Sequence, residues 1–399
     1  MRTFYIETVG CQMNVLDSEL AGSALLRAGM QQAKSLLDAD VILYNTCSIR
    51  QHAEDKIYSA LGRLKNWKAE KPYGILGVIG CMAQKDQKLV FRRAPHVDFV
   101  LGPGRLENLA DTIDRLFHEK PRPTKTICVS LQRATNRHAD VLESFQQYNP
   151  VRTIQDDASP SLVRIMFGCD QFCTYCVVPF VRGPEQSRPP QEIVDEVQHL
   201  ANQGVTQITL IGQTVNSYRH QESAASGQGK QTRLADLLYR LSDISGIEHI
   251  DFVTNYPQGI DDDLLQAVRD LPNVSKHLHI PMQSGSDAVL KRMNRHYTAA
   301  QCREMTDRIY GTIPGATMTS DFIVGFCGET DEEFEQTVDL VKYCQFRNSF
   351  IFKYSTRPGT KAAELYADDV PEEVKKYRNN SLLEIQIEIS RQLAKQSEC

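Results

Sequence analysis

Cys169, Cys173 and Cys176 stand in the run FGCDQFCTYCVVPF, a CxxxCxxC motif. Three thiolates this close can bind three irons of a 4Fe-4S cluster, whose usual complement is four cysteines. With three ligands one iron stays open, and an open iron can take a substrate or cofactor. The competing reading is a zinc knot. Zinc sites usually pair CxxC units and close with four ligands, and no fourth Cys or His lies near this run.

A second trio is dispersed. Cys11 follows the apolar run TFYIETVG, Cys47 and Cys81 close the runs DVILYNTC and GILGVIGC, and each precedes a helical stretch. Expected helices run from about Asp17 to Met30, over HAEDKIYSALGRLKNWKAEK, and after Gln84. VDFVLG supplies a fourth strand, and ENLADTIDRLFHEK a further helix. Strands alternating with helices argue a parallel sheet with right-handed crossovers. In open α/β sheets ligands bind outside the carboxyl ends of the strands, so the three thiols are expected at one sheet edge. Gly10 and Gly80 permit tight turns or close approach there, and Asn14 and Asn45 are candidates to satisfy turn amides. The trio reads as a second cluster site with an open iron; three buried structural thiols are the alternative.

The chain has 399 residues, 41% hydrophobic and 24% charged, with a formal charge of −5. These values suit a globular protein of two or three domains. The mild charge neither demands nor excludes a nucleic-acid partner. No apolar run is long enough to span a bilayer, and the start lacks a secretory layout; a cytoplasmic location and no membrane partner are expected. Eleven cysteines without regular spacing argue against a disulfide framework. Cys128, Cys302, Cys327, Cys344 and Cys399 are expected to be ordinary buried thiols.

Six further strand-like runs follow: LVRIMF, QITLIG, HIDFVT, HLHIP, TSDFIVGF and SFIFKYS. Helical stretches such as IVDEVQHLANQ, Leu234 to Leu241 and DEEFEQTVDLVKYC separate them. Six β/α units are fewer than the eight of a closed barrel. The CxxxCxxC loop follows the first of these strands, at the face where barrels place their chemistry. The expected layout is an N-terminal Rossmann/flavodoxin-like domain over 1–120, a linker over 121–157, an open (β/α)6 barrel over 158–365 and an amphipathic C-terminal helix over 366–399. The linker is expected to be functional or mobile.

The runs ETVGCQMN, NTCSIR, GCMAQ and GCDQFCTYCVVPFVRGPEQSRP resemble those of the radical S-adenosylmethionine (SAM) methylthiotransferases. LIGQTVNSY, HLHIPMQSGSD, SDFIVGFCGET and YSTRPGT extend the resemblance over nearly the whole chain. Gln12 and Met13 after the first cysteine, and NTCSIR, resemble the MiaB type. The ribosomal-protein branch usually has Pro-Lys there, and the threonylcarbamoyl-adenosine branch Lys-Val.

The resemblance implies methylthiolation of N6-isopentenyladenosine at tRNA position 37, with two 4Fe-4S clusters and SAM. Cys169, Cys173 and Cys176 would hold the cluster that cleaves SAM to a 5′-deoxyadenosyl radical. Cys11, Cys47 and Cys81 would hold the auxiliary cluster that carries or donates sulfur. One SAM would methylate sulfur and another would yield the radical. The implied partners are a tRNA anticodon stem-loop and a flavodoxin- or ferredoxin-type electron donor.

At the barrel face, Gln213, Asn216, Gln283, Ser284, Arg295 and Asp321 are candidates to hold SAM, with Gly325 allowing close approach. Each also has a reading as loop or cap chemistry. Tyr175, inside the cluster loop, is expected to pack rather than react. Members of the family usually end in a small tRNA-gripping TRAM barrel. Here the last segment reads as a helix, so that barrel is expected to be absent. Arg63, Lys65 and Lys68, or Arg133 and Arg137, are candidates to compensate, against a plain solvated face. Three other functions stay open: the same chemistry on a ribosomal-protein aspartate or on threonylcarbamoyl-adenosine, radical methylation without sulfur insertion, and a non-catalytic Fe–S or redox-sensing protein.

Overall fold

The computed structural model describes residues 1–48, 51–119, 121, 125–129, 160–221 and 231–397. Most of the expected linker, together with Arg133, Arg137 and Cys399, lies outside the described residues. The chain forms two compact units. The first comprises Met1–Ala158 and Val177–Gln186; the second comprises Ser159–Cys176 and Ser187–Cys399.

The N-terminal unit is built on a six-stranded parallel sheet. Its strands are β1 (Thr3–Val9), β2 (Gln31–Gln32), β3 (Val41–Thr46), β4 (Ile75–Gly80), β5 (Phe99–Leu101) and β6 (Thr126–Cys128), in spatial order β2-β1-β3-β4-β5-β6. The residues of β3 and β4 are wholly apolar or buried, as expected of strands covered on both faces. Alternate residues feed two cores. Phe4, Val41, Leu43, Ile75, Ile79 and Phe99 meet α1 (Gln12–Arg27) and α5 (Leu109–His118). Ile42, Tyr44, Leu76 and Val78 meet α2 (Gln51–Glu70), α3 (Cys81–Asp86) and α4 (Lys88–Arg93). This strand order reverses direction between β1 and β3, the place where doubly wound sheets open a ligand crevice.

Two differences from the expected elements matter. α1 starts at Gln12 and α3 at Cys81, so the helices begin directly at the cysteines. The strand β6 also carries the first sheet beyond residue 120, into the stretch expected to be a linker.

The second unit contains the six expected strands: β7 (Ser161–Arg164), β8 (Gln207–Ile211), β9 (His249–Phe252), β10 (His277–His279), β11 (Thr317–Val324) and β12 (Asn348–Lys353). They pair in parallel as two runs of three, β7-β8-β9 and β10-β11-β12. Asn255, just after β9, ties the runs together: its backbone and side-chain nitrogens both donate to His279 O at 3.1 Å. In β11 the buried residues alternate, with Met318, Ser320, Phe322 and Val324 completely covered. Thr319 and Asp321 lie on the opposite face beside His279. The arc is open, and the helix Glu372–Ser397 covers the β12 edge. Asn379 Nδ2 donates to Ile351 O at 2.9 Å and Gln386 Nε2 to Phe346 O at 2.8 Å. A covered edge cannot recruit a foreign strand. Among the described residues no helix is long and apolar enough to cross a membrane.

Candidate metal centres

Strand register brings the dispersed trio together. Val9, Thr46 and Gly80 are paired across β1, β3 and β4. Cys11, Cys47 and Cys81 follow them by two, one and one positions. Cys11 is the N-cap of α1, and its carbonyl accepts from Asn14 N (2.8 Å) and Val15 N (3.1 Å). Cys47 N donates to Val9 O at 3.1 Å.

Two glycines are required by space. A Cβ on Gly10 would lie 2.5 Å from Asn14 Oδ1 and 2.9 Å from Cys47 Cβ. Gly80 has φ +92°, and a Cβ there would lie 2.5 Å from Asn45 Oδ1 and 2.6 Å from Thr46 O. Asn14 and Asn45 are fully buried. Beyond turn amides they bond to each other, Asn14 Nδ2 to Asn45 Oδ1 at 3.0 Å and Asn45 Nδ2 to Asn14 O at 2.8 Å. They lock the first turn of α1 against the end of β3.

The thiols differ electrostatically. A hydrogen bond with Cys47 outweighs desolvation at Cys11, and the nearby Arg182 charge and first-turn amides of α1 assist, lowering its pKa to about 6. Burial pushes the Cys81 thiol up despite Arg182. Arg182, at the end of the short helix Val178–Val181, donates through Nε to Cys81 Sγ at 3.3 Å and through Nη2 to Asp17 Oδ2 at 2.8 Å. Both side chains are buried, at 2% and 1% exposure. Sequence reasoning missed this pair, because 165 residues separate its members and no spacing rule links them.

Cys169, Cys173 and Cys176 lie in the loop after β7. Gly168 and Phe172 have positive φ (72° and 49°), which lets the loop coil tightly. Cys176 N donates to Cys173 O at 3.0 Å. The segment 292–297 straps the loop from the side. Thr174 Oγ1 donates to Arg292 O at 2.9 Å, and Asn294 Nδ2 donates to Phe172 O at 3.0 Å. Arg295 donates through Nη1 to Cys173 Sγ at 3.3 Å, through Nη2 to Pro281 O at 2.8 Å and through Nε to Tyr297 OH at 2.7 Å. Its guanidinium also stacks 4.4 Å from the Tyr256 ring centroid. Thr214 Oγ1 lies 3.7 Å from Cys169 Sγ. Thr214 and Asn294 were not singled out from the sequence. Tyr175 packs beside Met293, Phe326 and Tyr354, and burial raises its phenol pKa well above the ordinary value.

The remaining barrel-face candidates divide by what they touch. Gln213 Oε1 is enclosed with no hydrogen-bond partner among the described residues, a state that calls for a ligand or water. Asn216 engages Tyr256 at both ends of its amide, donating to its O (2.7 Å) and accepting from its N (2.8 Å). Gln283 holds φ +69° while its backbone pairs with Asp321 O and Ile323 N. Ser284 Oγ lies 3.2 Å from Thr337 Oγ1, under the helix Asp331–Cys344. Asp321 Oδ2 is 3.6 Å from His279 Nε2. A Cβ on Gly325 would lie 2.4 Å from Lys375 Cγ. Gly325 N donates to Glu329 Oε2, which Arg378 of the C-terminal helix also holds at 2.9 Å. Among the other thiols, Cys302, Cys327 and Cys344 are buried and Cys128 is partly exposed.

Among the described residues, no three His, Cys, Asp or Glu side chains gather as they would about one ion. The donor set of each trio, three thiols with an arginine N–H on one sulfur, suits an iron–sulfur core held by three thiolates.

A parallel β/α arc with a three-cysteine loop after its first strand defines a radical SAM protein. Residues 163–341 match the radical SAM superfamily, and residues 3–102 match the uncharacterized protein family UPF0004. The fold is similar to that of the radical S-adenosylmethionine methyltransferase TsrM from Kitasatospora setae. The TM-score is 0.62 at 13% identity, over 91% of this chain and 74% of that one. It is also similar to the cobalamin-dependent S-adenosylmethionine radical enzyme OxsB, with a TM-score of 0.56 at 12% identity, over 97% of this chain and 56% of that one.

Sequence relatives are nearer. The tRNA-2-methylthio-N(6)-dimethylallyladenosine synthase of Rhodopirellula baltica is 53% identical over 98% of this chain and 80% of its own length. The enzymes of that name from Syntrophotalea carbinolica and Acidithiobacillus ferrooxidans are 41% identical (98% and 85% covered) and 43% identical (95% and 80% covered). The chain belongs to this family, the radical SAM methylthiotransferases.

Proposed function

We propose that the protein transfers a methylthio group to carbon 2 of N6-isopentenyladenosine at position 37 of a tRNA anticodon stem-loop. The observation that carries the reading is the pair of three-thiol sites, each at the carboxyl ends of parallel strands and each with an arginine N–H on one sulfur. Its relatives' shared name supports the substrate.

The hydrogen on carbon 2 is too weak an acid for any side-chain base, so a bound cofactor must supply the reactivity. When bound, a 4Fe-4S cluster at Cys169, Cys173 and Cys176 supplies reductive cleavage of SAM, and a second at Cys11, Cys47 and Cys81 carries the sulfur. The residues position and enclose. Arg295 and Asn294 hold the Cys169–Cys176 loop rigid, Gln213 offers an acceptor to a ligand, and Gly10 and Gly80 admit the close approach of Asn14 and Asn45 beside Cys11, Cys47 and Cys81. The base leaves its stack to reach the site, as buried duplex or loop bases do in other base-modifying enzymes. A flavodoxin- or ferredoxin-type donor in the cytoplasm supplies electrons.

The deciding experiment incubates anaerobically reconstituted protein with SAM, reductant and an isopentenylated stem-loop. Wild type is expected to give methylthiolated RNA and 5′-deoxyadenosine. Cys169→Ala is expected to give neither, and Cys11→Ala to give deoxyadenosine without the methylthio product. Full methylthiolation by Cys11→Ala overturns the reading. An iron count near four per chain instead of eight would favour methylation without sulfur insertion.

A further inference from the structure

We infer that Arg182, held by Asp17, is a positioning residue that sets the charge and hydrogen bonding on the Cys81 sulfur, and through it the reduction potential of a cluster bound by Cys11, Cys47 and Cys81. The inference rests on the proposed cluster at those three thiols.

The planar fork of Arg182 is divided between two acceptors. Nε points at Cys81 Sγ (3.3 Å) and Nη2 at Asp17 Oδ2 (2.8 Å). A guanidinium fixes two acceptors in one plane, which an ammonium does not. Val177 and Val181 pack with Cys81 in the same small apolar cluster, so the contact is shielded from water and its electrostatics are strengthened.

Stability alone does not account for the pair. Exchanging a buried ion pair for apolar side chains of similar volume is often neutral or stabilising. The arginine sits instead where negative charge accumulates. Three thiolates carry three negative charges, and hydrogen bonds to ligand sulfurs together with local charge set the potential of such clusters. An N–H and a positive charge beside Cys81 favour the reduced state, which is the more negative one. Asp17 does two things at once: it orients the guanidinium and offsets part of its charge.

The two residues therefore act in opposite directions. Losing Arg182 removes the donor and the cation, so the potential falls. Asp17→Asn keeps an acceptor for Nη2 and removes a negative charge, so the potential rises. Arg182→Lys keeps the charge without the fork and falls between wild type and Arg182→Met. A purely structural pair would show no such opposition, because both substitutions would loosen the same contact.

The test uses full-length protein in which Cys169, Cys173 and Cys176 are all alanine, reconstituted anaerobically with iron and sulfide. Only Cys11, Cys47 and Cys81 can then hold a cluster. Its midpoint potential is read by redox titration followed by electron paramagnetic resonance, and thermal melting is recorded alongside. The expected order of potentials is Asp17→Asn above the parent, and Arg182→Lys and then Arg182→Met below it. Should Arg182→Met retain no cluster, Arg182→Lys and Asp17→Asn carry the comparison. Shifts of the same sign, or unchanged potentials in proteins that do hold a cluster, overturn the inference. A parent that binds no cluster overturns the underlying reading, and the inference with it.

Discussion

Arg295 Nη1 and Cys173 Sγ are joined by a 3.3 Å hydrogen bond, and the same guanidinium is anchored to Pro281 O and Tyr297 OH. The arginine is a strut between the barrel wall and the cysteine loop. Hydrogen bonds to charged groups contribute about 1.5–3 kcal/mol. Arg295→Met is therefore expected to slow reductive SAM cleavage by roughly 10- to 100-fold. Anaerobic 5′-deoxyadenosine formation measures this, and an unchanged rate would remove the strut from the account.

Cys11 and Cys81 predict ordered thiol reactivity in metal-free protein. Reactivity follows the thiolate. With its pKa lowered to about 6, Cys11 is mostly ionised at pH 7 and loses reactivity only as pH falls through that value. Burial raises Cys81 in the opposite sense, so it should label slowly until alkaline pH. Mass-spectrometric mapping of alkylation between pH 5 and 9 reads both, and labelling of Cys81 ahead of Cys11 contradicts the assignment.

Much of this architecture could be read from residues alone. The apolar runs gave all six barrel strands, and placing Cys11, Cys47 and Cys81 after strands led directly to one sheet edge. Helix starts were harder. Nothing in an i, i+4 pattern says that a cysteine will serve as N-cap, yet α1 begins immediately after Cys11. Partners across long separations were invisible for a plainer reason. Arg182 meets Asp17 and Cys81 only because the chain folds back, and local periodicity carries no information about that.

The Asn14–Asn45 ladder predicts coupled loss of stability. Each substitution to alanine strands buried donors or acceptors, at about 1–3 kcal/mol per group. Asn14→Ala and Asn45→Ala should each lower stability, and the double variant should lose clearly less than the sum. Denaturant unfolding of the metal-free protein checks this; strict additivity would mean the two amides act independently.

A second buried contact makes a contrasting case. Arg378 and Glu329 side chains are 3% and 0% exposed and lie 2.9 Å apart. Arg378→Met alone leaves a carboxylate buried without its guanidinium and should cost about 3–5 kcal/mol. Arg378→Met combined with Glu329→Leu should recover a large part of that loss. Paired melting curves decide it, and a double variant as unstable as the single one would refute it.

Gly80 offers the sharpest steric prediction. Its φ of +92° and the 2.5–2.6 Å approach of Asn45 Oδ1 and Thr46 O leave no place for a methyl group. Gly80→Ala should destabilise the N-terminal unit by at least about 1–3 kcal/mol. Gly104, where an added Cβ meets nothing within 4 Å, serves as the control and should tolerate alanine nearly unchanged.

The N-terminal unit takes back a short piece of chain, Val177–Gln186, after the second unit has already begun. No single cut can therefore separate the two as complete folding pieces. A fragment ending at residue 158 would keep Asp17 and Cys81 but lack the guanidinium that both contact. Anyone seeking to express this half by itself must graft the missing ten-residue return, or accept a scaffold whose most enclosed carboxylate has lost its counter-ion.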